Sequence, residues 1–311
     1  MKDVFIPIEP EVKDKPAEEL LVGGVTRMTT IDFPDCLSAV VFIKGCPWKC
    51  VYCQNEDLQS REMNEGDGYV SWEYIDHFLD RRKGLIDGVV FSGGEPCVDP
   101  ALPDAIKRVK EKGYKIGLHT GGMYPRRLRA ILPYLDWVGL DIKAPLSDEA
   151  AYEKVVRRKG AAAKVRSSLE MLLEAGVSIE TRTTVHPEYH TEEQILQLAR
   201  ELSDAGIETY ALQIYRQPRG LPEEHLLERV GSDYPHEETL KTLESLFKKF
   251  IYRPSYRFLR NKFYETGSKE HSGPVFLLFG QSIELNFGGI FSLRQISLLD
   301  FDQPFSDGAH R

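Results

Sequence analysis

The chain has 311 residues, 41% of them apolar, and a formal net charge of −8 at pH 7. This apolar content can fill one sizeable core, and the acidic balance gives no general attraction to nucleic acid or to an anionic membrane surface. The sequence contains no run of about 18 apolar residues, so we expect no membrane span. The N-terminus is charged and has no apolar stretch, so we expect no secretory signal there. Five cysteines without a disulfide-scaffold spacing favour a reducing, cytoplasmic compartment, where clustered cysteines usually bind metal or take part in catalysis.

The pattern divides the chain into three parts: a polar lead-in at residues 1–20, a repetitive part at 21–255 and a C-terminal extension at 256–311. In the repetitive part, short apolar segments alternate with amphipathic ones, which predicts six strands each followed by a helix. The predicted strands are residues 38–44, 87–92, 115–120, 136–142, 178–184 and 208–215. The predicted helices are residues 72–82, 101–112, 126–132, more than one within 148–175, 192–205 and 236–250.

Continuous apolar strands that alternate with helices are typical of a parallel sheet. Right-handed crossovers then give either a barrel or a doubly wound sheet, and periodicity leaves both open. In both architectures ligands bind at the C-terminal ends of the strands, which is where the polar and glycine-containing motifs of this chain lie. The C-terminal extension has short apolar runs, which predict one or two hairpins or a poorly packed tail.

Three cysteines follow the first predicted strand in a C-x3-C-x2-C pattern, with the aromatic Tyr52 just before the third. They are Cys46, Cys50 and Cys53. A structural zinc site is closed by four ligands and an electron-transfer cubane by four thiolates, but no fourth cysteine lies nearby. The spacing predicts one [4Fe–4S] cluster with three thiolate ligands and one iron left free for a substrate or cofactor. A zinc site completed by a distant His or Cys is the alternative.

A second motif, Gly93-Gly94-Glu95-Pro96, follows the second predicted strand. Two glycines let the backbone approach a ligand closely, and Glu95 could accept hydrogen bonds from an ammonium group. A Gly-Gly-Glu turn alone is weak evidence, but its place one strand after the cysteine loop makes the pair specific.

Together the two motifs resemble the radical S-adenosylmethionine superfamily. The resemblance implies an α/β fold, a partial (β/α)6 TIM-type barrel, with the cluster at its open mouth. S-adenosylmethionine (SAM) would bind the unique iron, the Gly-Gly-Glu strand would hold its ammonium, and the reduced cluster would cleave it to methionine and a 5′-deoxyadenosyl radical. No side chain is expected to be catalytic beyond the cluster and the cofactor.

Further motifs within residues 22–250 are similar to the activating proteins of glycyl radical enzymes, above all those of anaerobic ribonucleoside-triphosphate reductase. Residues 29–34 (TTIDFP), with Asp32, resemble their lead-in, and Gly139-Leu-Asp141-Ile-Lys143 matches their Asp-x-Lys element. Arg182 resembles an arginine that contacts the cofactor. The cofactor-binding residues that the resemblance implies are Tyr52, Gly93, Gly94, Glu95, Thr120, Asp141, Lys143 and Arg182.

The third strand departs from this pattern. It ends in His119-Thr-Gly-Gly, where related activases often carry an Asp that ligates a cation. A monovalent cation is therefore an open alternative, and His119 either touches the cofactor or is a hydrogen-bonded residue at a strand end. Cys97 is expected to be a small loop residue, and His186 and His190 are expected in a solvated loop.

The resemblance implies two protein partners. A flavodoxin- or ferredoxin-type reductant would deliver one electron to the cluster, and the radical would abstract an α-hydrogen from a glycine of a glycyl radical enzyme. Neither a membrane nor a nucleic acid is expected as a partner. Two alternatives remain: a radical SAM enzyme that acts on a small molecule, peptide or nucleoside, and a non-catalytic metal-binding interaction protein.

Overall fold

A computed structural model describes residue 9 and residues 12–62, 69–218 and 226–254 of the chain. The C-terminal extension predicted at 256–311 lies outside the described residues. Eight strands form one sheet in the order β1 to β8, in which β1 is antiparallel to β2 and all later pairs are parallel. The strands are β1 Val22–Thr29, β2 Ser38–Ile43, β3 Gly88–Gly93, β4 Lys115–Thr120, β5 Trp137–Asp141, β6 Ser178–Val185, β7 Thr209–Ile214 and β8 Lys249–Arg253.

Helices follow each strand from β2 to β7, so the sheet contains six strand–helix units, flanked by β1 and β8. The helices are α1 Trp72–Asp80, α2 Leu102–Glu111, α3 Pro125–Ile131, α4 Glu149–Val156, α5 Ala161–Ala175, α6 Glu192–Asp204 and α7 Glu237–Leu246. Among the described strands β1 and β8 are not paired with each other, so the sheet is not closed. This confirms the predicted partial (β/α)6 barrel and decides against a doubly wound sheet.

The structure corrects the prediction of one helix over residues 236–250. The helix α7 ends at Leu246, and β8 begins at Lys249, parallel to β7. The segment KFIYR has a basic residue at each end and three bulky side chains between them, all partly or fully exposed, which suits a strand at the edge of a sheet. Strand β1 is also absent from the predicted set, because two glycines and a polar run interrupt its apolar pattern.

Side chains alternate between the two faces of the sheet. The outer face packs against the helices through fully buried residues such as Phe91, Leu118 and Leu140. The inner face carries a small second cluster made of Phe33, Cys36, Val40, Val90 and Trp137. Nearer the C-terminal ends of the strands, the inner face becomes polar, and this polar region holds the candidate site described below.

The N-terminal lead-in joins the main core, since Ala17 and Leu20 are fully buried within it. No helix in the described part of the chain combines the length and the apolar character needed to cross a membrane.

The helix α6 begins with a reciprocal cap that should contribute measurably to stability. The Thr191 hydroxyl accepts a hydrogen bond from the backbone N–H of Gln194, and the Gln194 side chain accepts one from the backbone N–H of Thr191. We expect T191A to lower the free energy of unfolding by about 1 kcal/mol in a urea titration. The control T242A, within α7, should cost less, because alanine is the better helix former there; equal losses would contradict the role of the cap.

Candidate functional site

The topology brings the predicted site residues to one edge of the sheet. The cysteine loop follows β2, while Gly93, Thr120 and Asp141 are the last residues of β3, β4 and β5. Arg182 lies within β6 and is paired in register with Asp141. Since parallel strands end at the same edge, these motifs lie side by side although they are far apart in sequence.

The cysteine loop and the turn after β3 are joined backbone to backbone. The N–H of Gly94 donates to the Ile43 carbonyl at 2.9 Å, and the N–H of Glu95 donates to the Gly45 carbonyl at 2.7 Å. A Cβ atom at Gly94 would lie 2.4 Å from the Gly45 oxygen, and Gly93 has a φ of +123°. The two glycines are therefore required by the approach of the cysteine loop itself, whatever ligand also approaches them.

Two aromatic side chains fix the loop from the inside. Trp48 is buried, donates from its indole N–H to the Met123 sulfur at 3.3 Å and packs against Gly121. Tyr52 is buried next to His190, with the two ring centroids 5.9 Å apart, and the Lys143 ammonium lies 5.8 Å from the centre of the Tyr52 ring. The Tyr52 hydroxyl has no hydrogen-bond partner among the described residues.

Asp141, Lys143 and Arg182 form a compact charged group, which we call the cationic trio. One Asp141 oxygen accepts from the Lys143 ammonium at 2.9 Å, and the other accepts from Arg182 Nε at 2.9 Å. Arg182 also donates to the Gly139 carbonyl, and a Cβ at Gly139 would come within 3.0 Å of the guanidinium. Gly139 is thus needed for Arg182 to lie across β5.

The cationic trio carries one net positive charge. Burial would raise the pKa of Asp141, but the neighbouring Arg182 and Lys143 outweigh it and hold this pKa well below its usual range. Burial opposes the charge on Lys143 as well, yet Asp141 and then Cys50 raise the pKa of Lys143. Asp141 and Lys143 therefore remain ionised near neutral pH. Together with the guanidinium of Arg182, which is a cation in proteins, they leave an excess positive charge that can receive an anionic group.

Glu95 is buried and joins the turn after β3 to the end of β4. Its carboxylate accepts hydrogen bonds from the Thr120 hydroxyl at 2.7 Å, the Gly121 N–H at 2.8 Å and the Cys97 N–H at 3.1 Å. Burial raises the pKa of Glu95, although the three donors favour its charged form. Both oxygens already accept hydrogen bonds, so a ligand ammonium would have to share them.

A family profile described as the radical SAM superfamily matches residues 40–202. The chain belongs to the radical SAM superfamily. It is 28% identical over 238 residues to a Methanocaldococcus jannaschii protein provisionally named a glycyl-radical enzyme activating enzyme, and the match covers 74% of this chain and 93% of that protein. It is 29% identical over 191 residues to the 7-carboxy-7-deazaguanine synthase of the same organism, covering 56% of this chain and 74% of the synthase.

Solved structures support the same fold. The Streptococcus suis protein SuiB, in the crystal structure bound to its precursor peptide SuiA, matches with a TM-score of 0.57 at 13% identity. The match covers 72% of this chain but only 50% of SuiB, so the chain spans about half the length of that protein. At this identity the likeness concerns the fold alone.

Radical SAM enzymes carry a [4Fe–4S] cluster, and the donor set in the loop after β2 fits one. Cys46, Cys50 and Cys53 are free thiols, each partly exposed. Burial raises the pKa of Cys46 to about 12 and that of Cys50 to about 11, and coordination to a metal centre is what deprotonates such thiols at neutral pH. Among the described residues, no three His, Cys, Asp or Glu side chains converge on a single metal ion; in a cubane each thiolate binds a separate iron.

The histidine at the end of β4 is hydrogen-bonded inside the barrel. His119 Nε2 lies 2.9 Å from the Asp32 carbonyl, and Nδ1 lies 3.3 Å from the Ser92 hydroxyl. Because a carbonyl can only accept, Nε2 carries the proton and Nδ1 accepts from Ser92. Burial, followed by the nearby Arg182, lowers the pKa of His119 to about 3. A neutral imidazole that directs its N–H at this carbonyl does not fit a sodium or potassium site at this position.

The prediction that His186 and His190 lie in a solvated loop is wrong. Both are buried, with exposed fractions of 3% and 2%. His186 Nε2 lies 2.9 Å from the Glu228 carbonyl, and His190 Nε2 lies 2.8 Å from the Lys143 carbonyl. The loop after β6 turns back over the end of β5, a contact that the local sequence does not reveal. Cys97 is buried directly behind Glu95.

The inner face also holds a polar group that sequence reasoning did not bring together. Glu180 on β6, Gln213 on β7 and Arg253 on β8 are linked by hydrogen bonds across three strands. Their alternation with apolar neighbours is the one sequence signal that could have placed them on the polar side of the sheet.

We expect G94A to reduce cluster assembly, because the added methyl group would push the cysteine loop away from β3. The substitution should destabilise the fold by about 2–3 kcal/mol and lower the iron and sulfide content after anaerobic reconstitution. G24A is the matched control, since no atom lies within 4 Å of a Cβ there. If G94A binds as much iron as the wild type, cluster assembly does not depend on the close contact between the cysteine loop and the turn after β3.

The buried His119 should make folding stability depend on pH. Its pKa in the folded state, about 3, is below the ordinary value of 6.5, so the unfolded chain binds the extra proton between these values and stability is lost as pH falls. From pH 7 to pH 5 this group should cost about 2 kcal/mol.

Urea unfolding of the metal-free protein at both pH values measures this effect. The difference in unfolding free energy between pH 7 and pH 5 should be smaller by about 2 kcal/mol in H119Q than in the wild type. It should be unchanged in H77Q, which alters an exposed histidine on α1. Part of the pH dependence will remain in H119Q, because burial also lowers the pKa of His190, to about 4. The same pH dependence in H119Q and the wild type would contradict the lowered pKa of His119 in the folded protein.

Proposed function

We propose that this radical SAM enzyme is the activating enzyme of a glycyl radical enzyme of the anaerobic ribonucleotide reductase type. The observation that carries the proposal is the extent of the likeness to the M. jannaschii activating-enzyme relative, which runs through 93% of that protein. The motifs at Asp32, Asp141, Lys143 and Arg182, which resemble those of activases, support the same conclusion.

The residues of the site would act by binding and orienting. Cys46, Cys50 and Cys53 would hold the cluster, and the excess positive charge of the cationic trio would receive the carboxylate of SAM. The turn at Gly93 and Gly94 would lie against its ammonium. When bound, the cluster and SAM supply the one-electron chemistry and the radical, with the electron coming from a flavodoxin- or ferredoxin-type protein.

The aromatic end of the inner face would keep water from the reacting groups. Phe33 and Trp137 stack with centroids 5.5 Å apart, and His119 packs edge-on against Trp137 at 5.4 Å. Exclusion of water from an active site suppresses side reactions of a reactive intermediate. The neutral state of His119 allows it to lie there without an unpaired charge.

A second candidate is a radical SAM enzyme that acts on a small molecule. The likeness to 7-carboxy-7-deazaguanine synthase favours it, because the identity of 29% is close to the 28% of the activating-enzyme relative. That likeness covers 56% of this chain against 74% for the activating-enzyme relative, which is why we rank it second.

The test is anaerobic mixing of the reconstituted, reduced protein with SAM and a glycyl radical enzyme encoded beside it. We expect methionine, 5′-deoxyadenosine and a glycine-centred doublet in the EPR spectrum. C50A should lose the cluster absorbance and all three signals, because one thiolate ligand is missing. C36A should retain them, because Cys36 packs in the inner-face cluster away from the loop.

Three other outcomes would contradict the proposal in different ways. Cleavage of SAM without a glycine doublet, for any such partner, would rule out an activase. Cleavage stimulated instead by a deazapurine precursor would favour the second candidate. If the wild-type protein with a full cluster cleaves no SAM, it is a non-catalytic metal-binding protein.

A further inference from the structure

Arg253, the last residue of β8, is held by two acceptors on the inner face. Its Nη1 donates to Gln213 Oε1 at 2.7 Å, and its Nη2 donates to Glu180 Oε1 at 2.9 Å. Gln213 lies opposite Arg253 in register on β7, while Glu180 is two strands away on β6. The guanidinium therefore lies across β7 and not along the outer edge of the sheet.

The orientation of this group is fixed from both sides. Gln213 Nε2 donates to the Thr184 hydroxyl at 3.2 Å, which leaves its oxygen to accept from Arg253. A planar guanidinium that donates hydrogen bonds from two of its nitrogens cannot rotate freely. It carries five N–H donors, and these two contacts use two of them. The Arg253 side chain is 31% exposed, so a ligand on this face of the sheet can reach it.

Burial of the Glu180 carboxylate, the ionic partner of Arg253, carries a desolvation penalty. The Glu180 side chain is only 5% exposed, and a buried ion pair is often no more stable than apolar residues of the same size. The core around the sheet therefore gives no reason of its own for a Glu180–Arg253 pair. An arginine fixed at two points but still accessible is the arrangement used to recognise an oxygen acceptor.

The charges distinguish this group from the cationic trio. Glu180, Arg182 and Thr184 alternate along β6 and so share its inner face. Arg182 belongs to the cationic trio, which has one net positive charge and suits the carboxylate of SAM. Arg253 is neutralised by Glu180, so the pair has no net charge and suits a neutral acceptor such as a peptide carbonyl.

We propose that Arg253 is a positioning residue that donates a hydrogen bond to a main-chain carbonyl of the glycine-bearing segment of the partner enzyme. This inference rests on the proposed function, because it assumes a protein substrate. It assigns the β6–β8 side of the inner face to the substrate and leaves the cationic trio to SAM. A carbonyl held there would fix the substrate glycine relative to the cofactor.

The test measures the rate of glycyl radical formation against the concentration of the partner enzyme. For R253Q we expect the half-saturating partner concentration to rise about tenfold, without a matching fall in the maximal rate. R253K keeps the positive charge opposite Glu180 and so protects against misfolding. It should raise the half-saturating concentration less than R253Q does, because a charged donor remains, but still above the wild-type value, because an ammonium cannot replace the planar fork of donors. K248Q is the matched control, since it removes an exposed ion pair to Glu208 just before β8, and it should behave as wild type.

The outcomes separate the inference from the function on which it rests. Unchanged half-saturation in both Arg253 variants would overturn the inference while the activase function stands. A parallel loss of maximal rate and of cluster content in both variants would assign Arg253 a purely structural role and would also overturn it. If the wild-type protein forms no glycyl radical with any partner, the proposed function fails first, and the inference fails with it.

Discussion

The whole site depends on one close contact, between the backbone of the cysteine loop and the turn after β3. Hydrogen bonds from Gly94 and Glu95 to Ile43 and Gly45 continue the pairing of β2 and β3 beyond the ends of both strands. Glycine is required at position 94 because any side chain would meet the Gly45 oxygen. Through this contact the cysteines that would hold the cluster and the turn that would face SAM have one fixed relative position.

Glu95 and Trp48 extend this constraint to the next strand. Glu95 binds the end of β4 through Thr120 and Gly121, while Trp48 packs from the cysteine loop onto the same Gly121. The first three parallel strands therefore end in one rigid assembly. Beyond them, β5 to β8 present charged and polar side chains on the inner face, where Arg182 and Arg253 belong to groups of different net charge. This difference in charge is the physical basis on which we assign one group to SAM and the other to a substrate.

Much of this could be predicted from the sequence because it depends on local pattern. Six strand–helix units and the cysteine spacing are visible in the residues themselves, and the motifs follow the strands. Strand β8 was not predicted because the periodicity of α7 runs directly into it. The burial of His186 and His190 depends on a loop that folds back onto Lys143. The Glu180–Arg253 pair depends on the register of three strands, which no local pattern specifies.

The central claim is that the cationic trio binds SAM beside a cluster held by the three loop cysteines. The most direct measurement is the EPR spectrum of the reduced cluster, recorded with and without SAM, in the wild-type protein and in R182Q. We predict that SAM changes the spectrum of the wild type, and that R182Q needs about tenfold more SAM for the same change, because one charged hydrogen-bond donor is lost. A spectrum that SAM does not alter, in wild-type protein with a full cluster, would contradict the account.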